Sequence, residues 1–245
     1  MKKRGLSQEA LKTIACVTML LDHIGAIVVL NCVNQATGAD RALWMDIYEA
    51  LRTIGRLSFP IYCFLLVEGA FYTKSPKRYG LRLLTGAILA EIPFDLAFYG
   101  RITWAHQSAM VTLLLGFLML EAMKKFPELL KLLVVLPFAF VAGKLGVNYG
   151  ATGIMLIAVF AFTRDVKFKY LWQFFGIWFV FSPKHLMMFN WLGGVRWTIR
   201  ELAVFAVIPI ALYNGQKTTN SKLLQWGFYL FYPAHLLALY LIQMI

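Results

Sequence analysis

Lys12 and His23 form the pattern most typical of chemistry within an apolar stretch of this chain. They are eleven residues apart, and eleven helical steps of about 100° bring both side chains to one face, about 16 Å apart along the axis. This separation suits a long donor whose phosphates bind the cation while its reactive end reaches the imidazole. Coenzyme A is such a molecule. On spacing alone, Lys12 equally fits a side chain that extends to a membrane surface.

Other ionisable side chains also lie in apolar stretches, namely Asp22, Glu68, Glu91, Asp95, Glu201 and His235. Each such group costs roughly 2.5–3.5 kcal/mol near the centre of a bilayer, so several of them should face one another or a hydrated cavity. Pairwise structural neutralisation explains any single one. Two histidines with a surplus of carboxylates favour a reaction chamber or a proton path.

Two further pairs have the four-residue spacing of one helix face. Glu91 and Asp95 flank Pro93, which loosens the local hydrogen bonds, and repulsion between two like charges favours protonation of one carboxyl. Arg52 and Arg56 could bind a phosphate, a carboxylate or one of the acids within the apolar stretches.

The composition indicates that these ionisable side chains belong to a membrane protein. The chain has 245 residues, of which 60% are hydrophobic and 15% charged, against about 45–50% and about 25% in soluble domains. A globule of this size needs a polar shell, so lipid must supply the outer environment. The net charge of +12 is typical of membrane proteins with basic cytoplasmic loops and requires no nucleic acid. The cysteines, Cys16, Cys32 and Cys63, have no spacing that indicates a disulfide or a metal site.

The apolar runs predict an all-α, polytopic transmembrane bundle that forms one domain over residues 1–245. Nine spans are expected, at 11–33, 57–73, 80–99, 108–123, 129–147, 150–164, 170–183, 198–214 and 223–245, with a tenth if 184–197 contributes one. Residues 42–54 predict an amphipathic surface helix, from the spacing of Leu43, Ile47 and Leu51. About two-thirds of the Lys and Arg residues fall on one side, which predicts a cytoplasmic N-terminus.

Sequence blocks along the whole chain resemble the TraX family of membrane pilin acetylases. The first blocks are Leu11-Lys12, Asp22-His23-Ile24-Gly25, Arg52-Thr-Ile-Gly-Arg56 and Glu68-Gly69. The later blocks are Glu91-Ile-Pro93-Phe-Asp95, Thr112-Leu-Leu-Leu-Gly116, Tyr149-Gly150, Leu212-Tyr213-Asn214-Gly215 and Tyr232-Pro233-Ala-His235. The family is similar in turn to the acyltransferase-3 proteins, which carry a basic residue and a histidine at the spacing of Lys12 and His23.

This resemblance implies that acetyl-CoA enters from the cytoplasm, that Lys12 helps to hold it and that His23 is the catalytic base. Two positions depart from the expected pattern. Asn148 replaces an acid before Tyr149, and Glu68-Gly69 stands where the acyltransferase-3 proteins usually have Ser-Gly.

We therefore expect a bacterial cytoplasmic-membrane enzyme that moves an acetyl group from acetyl-CoA to an amine or hydroxyl, such as a pilin N-terminus or another envelope substrate. Asp22, Glu68 or Glu91 would orient the imidazole of His23. Arg78 and Arg82 join Lys12 as expected contacts of the CoA phosphates. Arg52, Arg56, Asp95 and His235 are expected to bind the acceptor or balance charge. No metal is expected.

Two other classes of function stay open at this point. A proton-coupled exporter or flippase would also place histidines and carboxylates inside a small bundle. A scaffold for a secretion or conjugation apparatus would need the same residues for stability only.

Overall fold

A computed structural model of the chain describes residues 5–182, 201–219 and 221–244. The described residues are helical with short connections and include no strand. Two isolated bridges pair Leu6 with Tyr213 and Gln107 with Val147. The predicted all-α class is confirmed.

The first part of the chain forms two long helical stretches. Helix α1 (Gln8–His23) continues through a π-helical turn (Ile24–Val29, called the π-turn below) into α2 (Leu30–Gln35). Helix α3 (Gly38–Gly55) is followed after a two-residue turn by α4 (Ser58–Tyr72). The π-turn is recognisable by the Leu30 N–H, which donates to the Gly25 carbonyl five residues earlier.

The remaining helices follow in chain order: α5 (Pro76–Tyr99), α6 (Ala109–Met123), α7 (Glu128–Lys144), α8 (Gly150–Phe162) and α9 (Lys169–Phe181). A 3₁₀ helix (Glu201–Ala206) then leads into α10 (Val207–Ala211), and α11 (Lys222–Gln243) completes the series. Gly100 ends α5 in the left-handed conformation with φ of 65°, as glycine commonly does beyond a helix C-terminus.

Each of the nine predicted spans overlaps a helix in the described ranges, although 145–147 and 212–214 lie beyond the ends of α7 and α10. Two stretches, Gln8–Gln35 and Gly38–Tyr72, are long and apolar enough to cross a membrane, and shorter apolar helices occur at Ala109–Met123, Gly150–Phe162 and Glu201–Ala211. The predicted surface helix at 42–54 lies within the longer helix α3 (Gly38–Gly55). Its Ile47 and Leu51 are half-buried, whereas Leu43 is exposed, so the predicted apolar face is shorter than expected. The possible tenth span at 184–197 lies outside the described residues.

The chain divides into two compact units. Unit 1 comprises Met1–Tyr62, Phe168–Ser221 and Leu241–Ile245, and unit 2 comprises Cys63–Lys167 and Lys222–Tyr240. In unit 1, α3 packs along α1, the π-turn and α2, while α9 packs against the 3₁₀ helix and α10. The single domain over 1–245 stays a prediction.

In unit 2, helix α6 packs against α5, α7 and α8. Gly116 permits the close approach of α8, because a Cβ atom at this position would lie 2.2 Å from the Ile157 side chain. Phe117, Met119, Ile154, Ile157 and Phe160 are buried in the core of this unit. Removal of such side chains from water is the main stabilising contribution to the packing.

Candidate functional site

Helix α1 carries both residues of the predicted donor site. It is α-helical from Gln8 to His23, so the backbone has the geometry that places Lys12 and His23 on one face. His23 is buried and is the last residue of α1, while Lys12 is half-buried one turn from the start. The π-turn follows His23 directly, and such turns recur at functional sites.

Asp22 connects α1 to two arginines of α3. Its Oδ2 accepts from Arg52 Nη1 at 2.7 Å, and its Oδ1 accepts from Arg56 Nη2 at 2.5 Å. The backbone carbonyl of Asp22 also accepts from Arg52 Nη1 at 3.3 Å, and Arg56 Nε donates to the Arg52 carbonyl at 3.2 Å. The sequence left a phosphate, a carboxylate or an acid of the apolar stretches as possible partners of these arginines. In the structure both arginines bind such an acid, Asp22. Both carboxylate oxygens of Asp22 therefore contact guanidinium groups, and its predicted role of orienting His23 stays a prediction.

Two glycines allow α3 to approach α1 closely enough for these contacts. A Cβ atom on Gly55 would lie 2.2 Å from Asp22 Cβ, which real structures essentially never show. A Cβ atom on Gly25, in the π-turn, would lie 3.2 Å from Leu51 Cβ and 3.4 Å from Arg52 Cδ. The side chain of Arg52 thus lies against the backbone just beyond His23.

The start of α1 is held by the segment 212–218, which contains the Leu212-Tyr213-Asn214-Gly215 block. Leu6 N–H donates to the Leu212 carbonyl at 2.8 Å, and Asn214 N–H donates to the Leu6 carbonyl at 2.9 Å. Both the N–H and the hydroxyl of Thr218 donate to Glu9 Oε2 at 2.8 Å. These contacts fix the turn that carries Lys12, and no pattern in the sequence indicates them.

In unit 2, Glu68 pairs with Arg164, a residue that no motif in the sequence singles out. Arg164 Nε lies 2.9 Å from Glu68 Oε1, and both side chains are largely buried. The guanidinium of Arg164 also lies 3.4 Å from the centre of the Phe71 ring, within the range of a cation–π interaction. This ion pair joins the end of α8 to the end of α4.

Glu91 and Asp95, four residues apart on α5, accept hydrogen bonds from different residues. Glu91 Oε1 accepts from the backbone N–H of Ser108 at 3.0 Å and from its hydroxyl at 2.6 Å. Asp95 Oδ2 accepts from the Thr103 N–H at 2.8 Å. Asp95 Oδ1 is buried and has no hydrogen-bond partner among the described residues, and the expected protonation of one carboxyl stays a prediction. Glu91 binds the residue that begins α6, where the helix dipole favours a negative charge.

The other predicted basic residues of unit 2 have different surroundings. Arg78 is exposed, whereas Arg82 lies 5.5 Å from the Tyr79 ring centre and hydrogen-bonds the Tyr229 side chain. His235 is buried, and its Nδ1 donates to the Phe231 carbonyl at 2.6 Å. The roles of all three in ligand binding stay predictions.

At Asn148, where the family resemblance predicts an acid, the main chain makes two hydrogen bonds. The carbonyl of Asn148 accepts a hydrogen bond from the Thr112 hydroxyl, and its N–H donates to the Gln107 carbonyl at 2.8 Å. The main chain of Asn148 thus connects the start of α8 to α6, independently of the side chain. No group of three or more His, Cys, Asp or Glu side chains in the described ranges is arranged to hold a metal ion.

Taken together, these features define an all-helical protein with buried ionic contacts between apolar helices and a histidine at an α-to-π junction. Residues 7–243 match the model of the family described as TraX protein. The chain belongs to the TraX family. A relative from Dichelobacter nodosus, named probable fimbrial assembly protein FimC of serogroup H1, is 26% identical over 246 residues, covering 92% of this chain and 91% of the relative. No solved structure matches the chain.

Proposed function

We propose that the protein is an integral-membrane acetyltransferase of the bacterial cytoplasmic membrane, with a cytoplasmic N-terminus and nine or ten spans. It would move an acetyl group from cytoplasmic acetyl-CoA to an amine or hydroxyl of an envelope substrate. The family match supports a role with pili, and the relative from Dichelobacter nodosus is named for fimbrial assembly. The wider relation to the acyltransferase-3 proteins is part of this proposal.

The surface composition of the helices supports a lipid environment. On α7, Leu129 is 89% exposed, Leu133 and Leu136 are 60% exposed, and Phe140 is 65% exposed. On α5, Leu81, Ile88 and Ile92 are similarly exposed along one stripe. Each such side chain loses about 1.5–3 kcal/mol of stabilising free energy when it faces water rather than an apolar medium. Contact with acyl chains removes this penalty.

His23 is the proposed general base. Its imidazole removes a proton from the acceptor, whose nitrogen or oxygen attacks the thioester carbonyl of acetyl-CoA. The tetrahedral intermediate collapses as the carbon–sulfur bond breaks, and the proton passes from the imidazolium to the CoA thiolate. Lys12 is proposed to bind a phosphate of the donor, with Arg78 and Arg82 as further phosphate contacts. The single observation that carries this proposal is a buried histidine at the end of an unbroken helix, eleven residues after a half-buried lysine.

The roles proposed for the carboxylates and the acceptor contacts follow the partners that the structure gives them. Asp22 holds the two arginines beside His23, and Arg52 and Arg56 are proposed to bind the acceptor. Asp22, Glu68 or Glu91 is proposed to orient the imidazole of His23, and Glu68 and Glu91 also have hydrogen-bond donors within unit 2. Asp95 and His235 are proposed as further acceptor contacts.

The test uses full-length protein in proteoliposomes with radiolabelled acetyl-CoA and a purified pilin or a mixture of small amines as acceptor. His23→Ala should abolish transfer, whereas the control His106→Ala, at an exposed histidine, should not. Lys12→Ala should raise the dissociation constant for CoA. Full transfer by a folded His23→Ala protein would refute the assigned base, and unchanged CoA affinity in Lys12→Ala would refute the phosphate contact.

A proton-coupled exporter or flippase is the second class to be tested. Such a protein needs carboxylates that can exchange protons, whereas Asp22 and Glu68 are engaged by arginines and Glu91 by Ser108. The same proteoliposomes distinguish the two classes. Release of the CoA thiol supports acyl transfer, and substrate-stimulated proton flux without CoA would support transport.

A further inference from the structure

Arg52 is the more accessible of the two arginines on Asp22. Its side chain is 22% exposed, against 12% for Arg56. Arg56 uses Nη2 on Asp22 and Nε on the Arg52 carbonyl, so two of its nitrogens bind protein. Arg52 makes both of its hydrogen bonds through Nη1, to the carboxylate and to the carbonyl of Asp22.

The remaining nitrogens of Arg52 form a planar edge. Within the described ranges, Nε and Nη2 donate to no protein acceptor. An arginine edge of two parallel N–H groups matches the two oxygens of a carboxylate or phosphate. The ring of Tyr48, whose centre lies 6.0 Å from the guanidinium carbon, is an uncharged neighbour.

The charge of the Asp22, Arg52 and Arg56 cluster also favours a bound anion. Arg52 shares the single carboxylate of Asp22 with Arg56, so Asp22 alone does not neutralise both guanidinium groups, and the three side chains are largely removed from water. Such a charge is stabilised by a bound anion more strongly than an exposed charge would be, because screening by solvent is weaker.

The position of Arg52 relates this edge to His23. The Arg52 side chain packs against Gly25, two residues after His23, and its Nη1 contacts the carbonyl of Asp22, the residue before His23. A group bound to Arg52 would thus lie beside the turn that carries the proposed base.

We propose that the Nε–Nη2 edge of Arg52 is a subsite for an oxyanion of the acceptor, a carboxylate or a phosphate close to its reactive amine or hydroxyl. Asp22 is the positioning residue that orients the Arg52 guanidinium, and Arg56 binds the other carboxylate oxygen of Asp22. This inference rests on the proposed function, since it names the class of acceptor that the same site takes.

The experiment measures binding of three small amines to the full-length protein in detergent without acetyl-CoA. The amines are β-alanine, which carries a carboxylate, O-phosphoethanolamine, which carries a phosphate, and ethanolamine, which carries neither. We expect one or both anionic amines to raise the melting temperature and ethanolamine to leave it unchanged. The anionic amine with the larger shift identifies the source of the oxyanion. Equal effects of all three amines on the wild-type protein would overturn the proposal.

Variants on the same helix complete the test. Arg52→Gln should weaken binding of the preferred anionic amine by about tenfold or more, since a hydrogen bond to a charged group is lost. Arg52→Lys, which keeps the charge without the planar edge, should bind with intermediate affinity. Arg41→Gln, at an exposed arginine of α3, is the matched control and should bind as the wild type does. Wild-type affinity in a folded Arg52→Gln or Arg52→Lys protein would overturn the proposal.

A further variant separates this inference from the proposed function. His23→Ala should retain the binding of the anionic amine while losing acetyl transfer. If the wild-type protein transfers no acetyl group but binds the anionic amine through Arg52, the proposed function fails and the subsite stands. If transfer depends on His23 but binding does not depend on Arg52, the subsite fails and the proposed function stands.

Discussion

Gly55→Ala tests whether the contact between α1 and α3 holds the Asp22 cluster together. The new methyl carbon would lie 2.2 Å from Cβ, 2.6 Å from Cγ and 2.4 Å from Oδ1 of Asp22. Normal carbon–carbon contacts are about 3.5–4.0 Å, and a rotamer change does not move Cβ, so the two helices must separate by about 1 Å or more or shift along one another. Either movement weakens the contacts at 2.7 Å and 2.5 Å with Arg52 and Arg56.

The expected loss of stability has two contributions. Overpacking of a well-packed interior costs about 1–3 kcal/mol. Breaking a buried ion pair by displacing one partner costs about 3–5 kcal/mol, and partial retention of the pair through Arg56 reduces this. The helix preference of alanine over glycine offsets about 1 kcal/mol. A net loss of about 2–5 kcal/mol corresponds to a melting temperature lower by about 4–20 °C in a chain of this size.

The measurement is thermal unfolding of purified protein in detergent, followed by far-ultraviolet circular dichroism at a fixed heating rate. Gly143→Ala is the matched control, since Gly143 lies within α7 and a Cβ atom there meets no atom within 4 Å. The control should melt at the wild-type temperature or slightly above it. A Gly55→Ala protein that melts within about 1 °C of the control would refute the close packing of α3 on Asp22.

Two other substitutions test contacts within unit 2. Glu68→Gln removes the charge that neutralises Arg164 and should lower the stability by about 1–3 kcal/mol, measured by the same melting experiment; an unchanged melting temperature would show that the pair contributes nothing. Ser108→Ala removes the hydroxyl that donates to Glu91 at the start of α6 and should lower the stability by about 0.5–2 kcal/mol, whereas Ser108→Thr, which keeps a hydroxyl, should lose less. Equal losses in the two Ser108 variants would argue that packing rather than the hydrogen bond accounts for the effect.

The helices could be predicted from the sequence because few structures other than a helix are compatible with apolar runs of this length. The ends of α4 and α6 lie within one residue of the predicted spans 57–73 and 108–123. The π-turn could not be predicted, since a one-residue widening leaves no pattern in residues 24–29 that differs from an ordinary apolar helix.

The partners of the charged residues were harder to predict than the charges themselves. Asp22 is 30 residues from Arg52, and Glu68 is 96 residues from Arg164, so these pairs depend on tertiary packing that spacing along one helix cannot indicate. Glu91 and Asp95 show a related difficulty. They are four residues apart on one helix, but the backbone N–H groups that bind them, those of Ser108 and Thr103, come from the loop before α6 and could not be assigned from the spacing.

The π-turn has a consequence for how this helix can vary during evolution. Because the turn holds one residue more than an α-helix of the same length, deletion of a single residue between 24 and 29 can restore regular α-helical winding without breaking the chain. Such a deletion leaves everything up to His23 in place and keeps Leu30–Gln35 nearly in phase with it, because a π-turn completes one helical turn with one residue more than an α-turn. Relatives that lack one residue in this segment should therefore keep both the residues around His23 and the apolar pattern of the segment that follows.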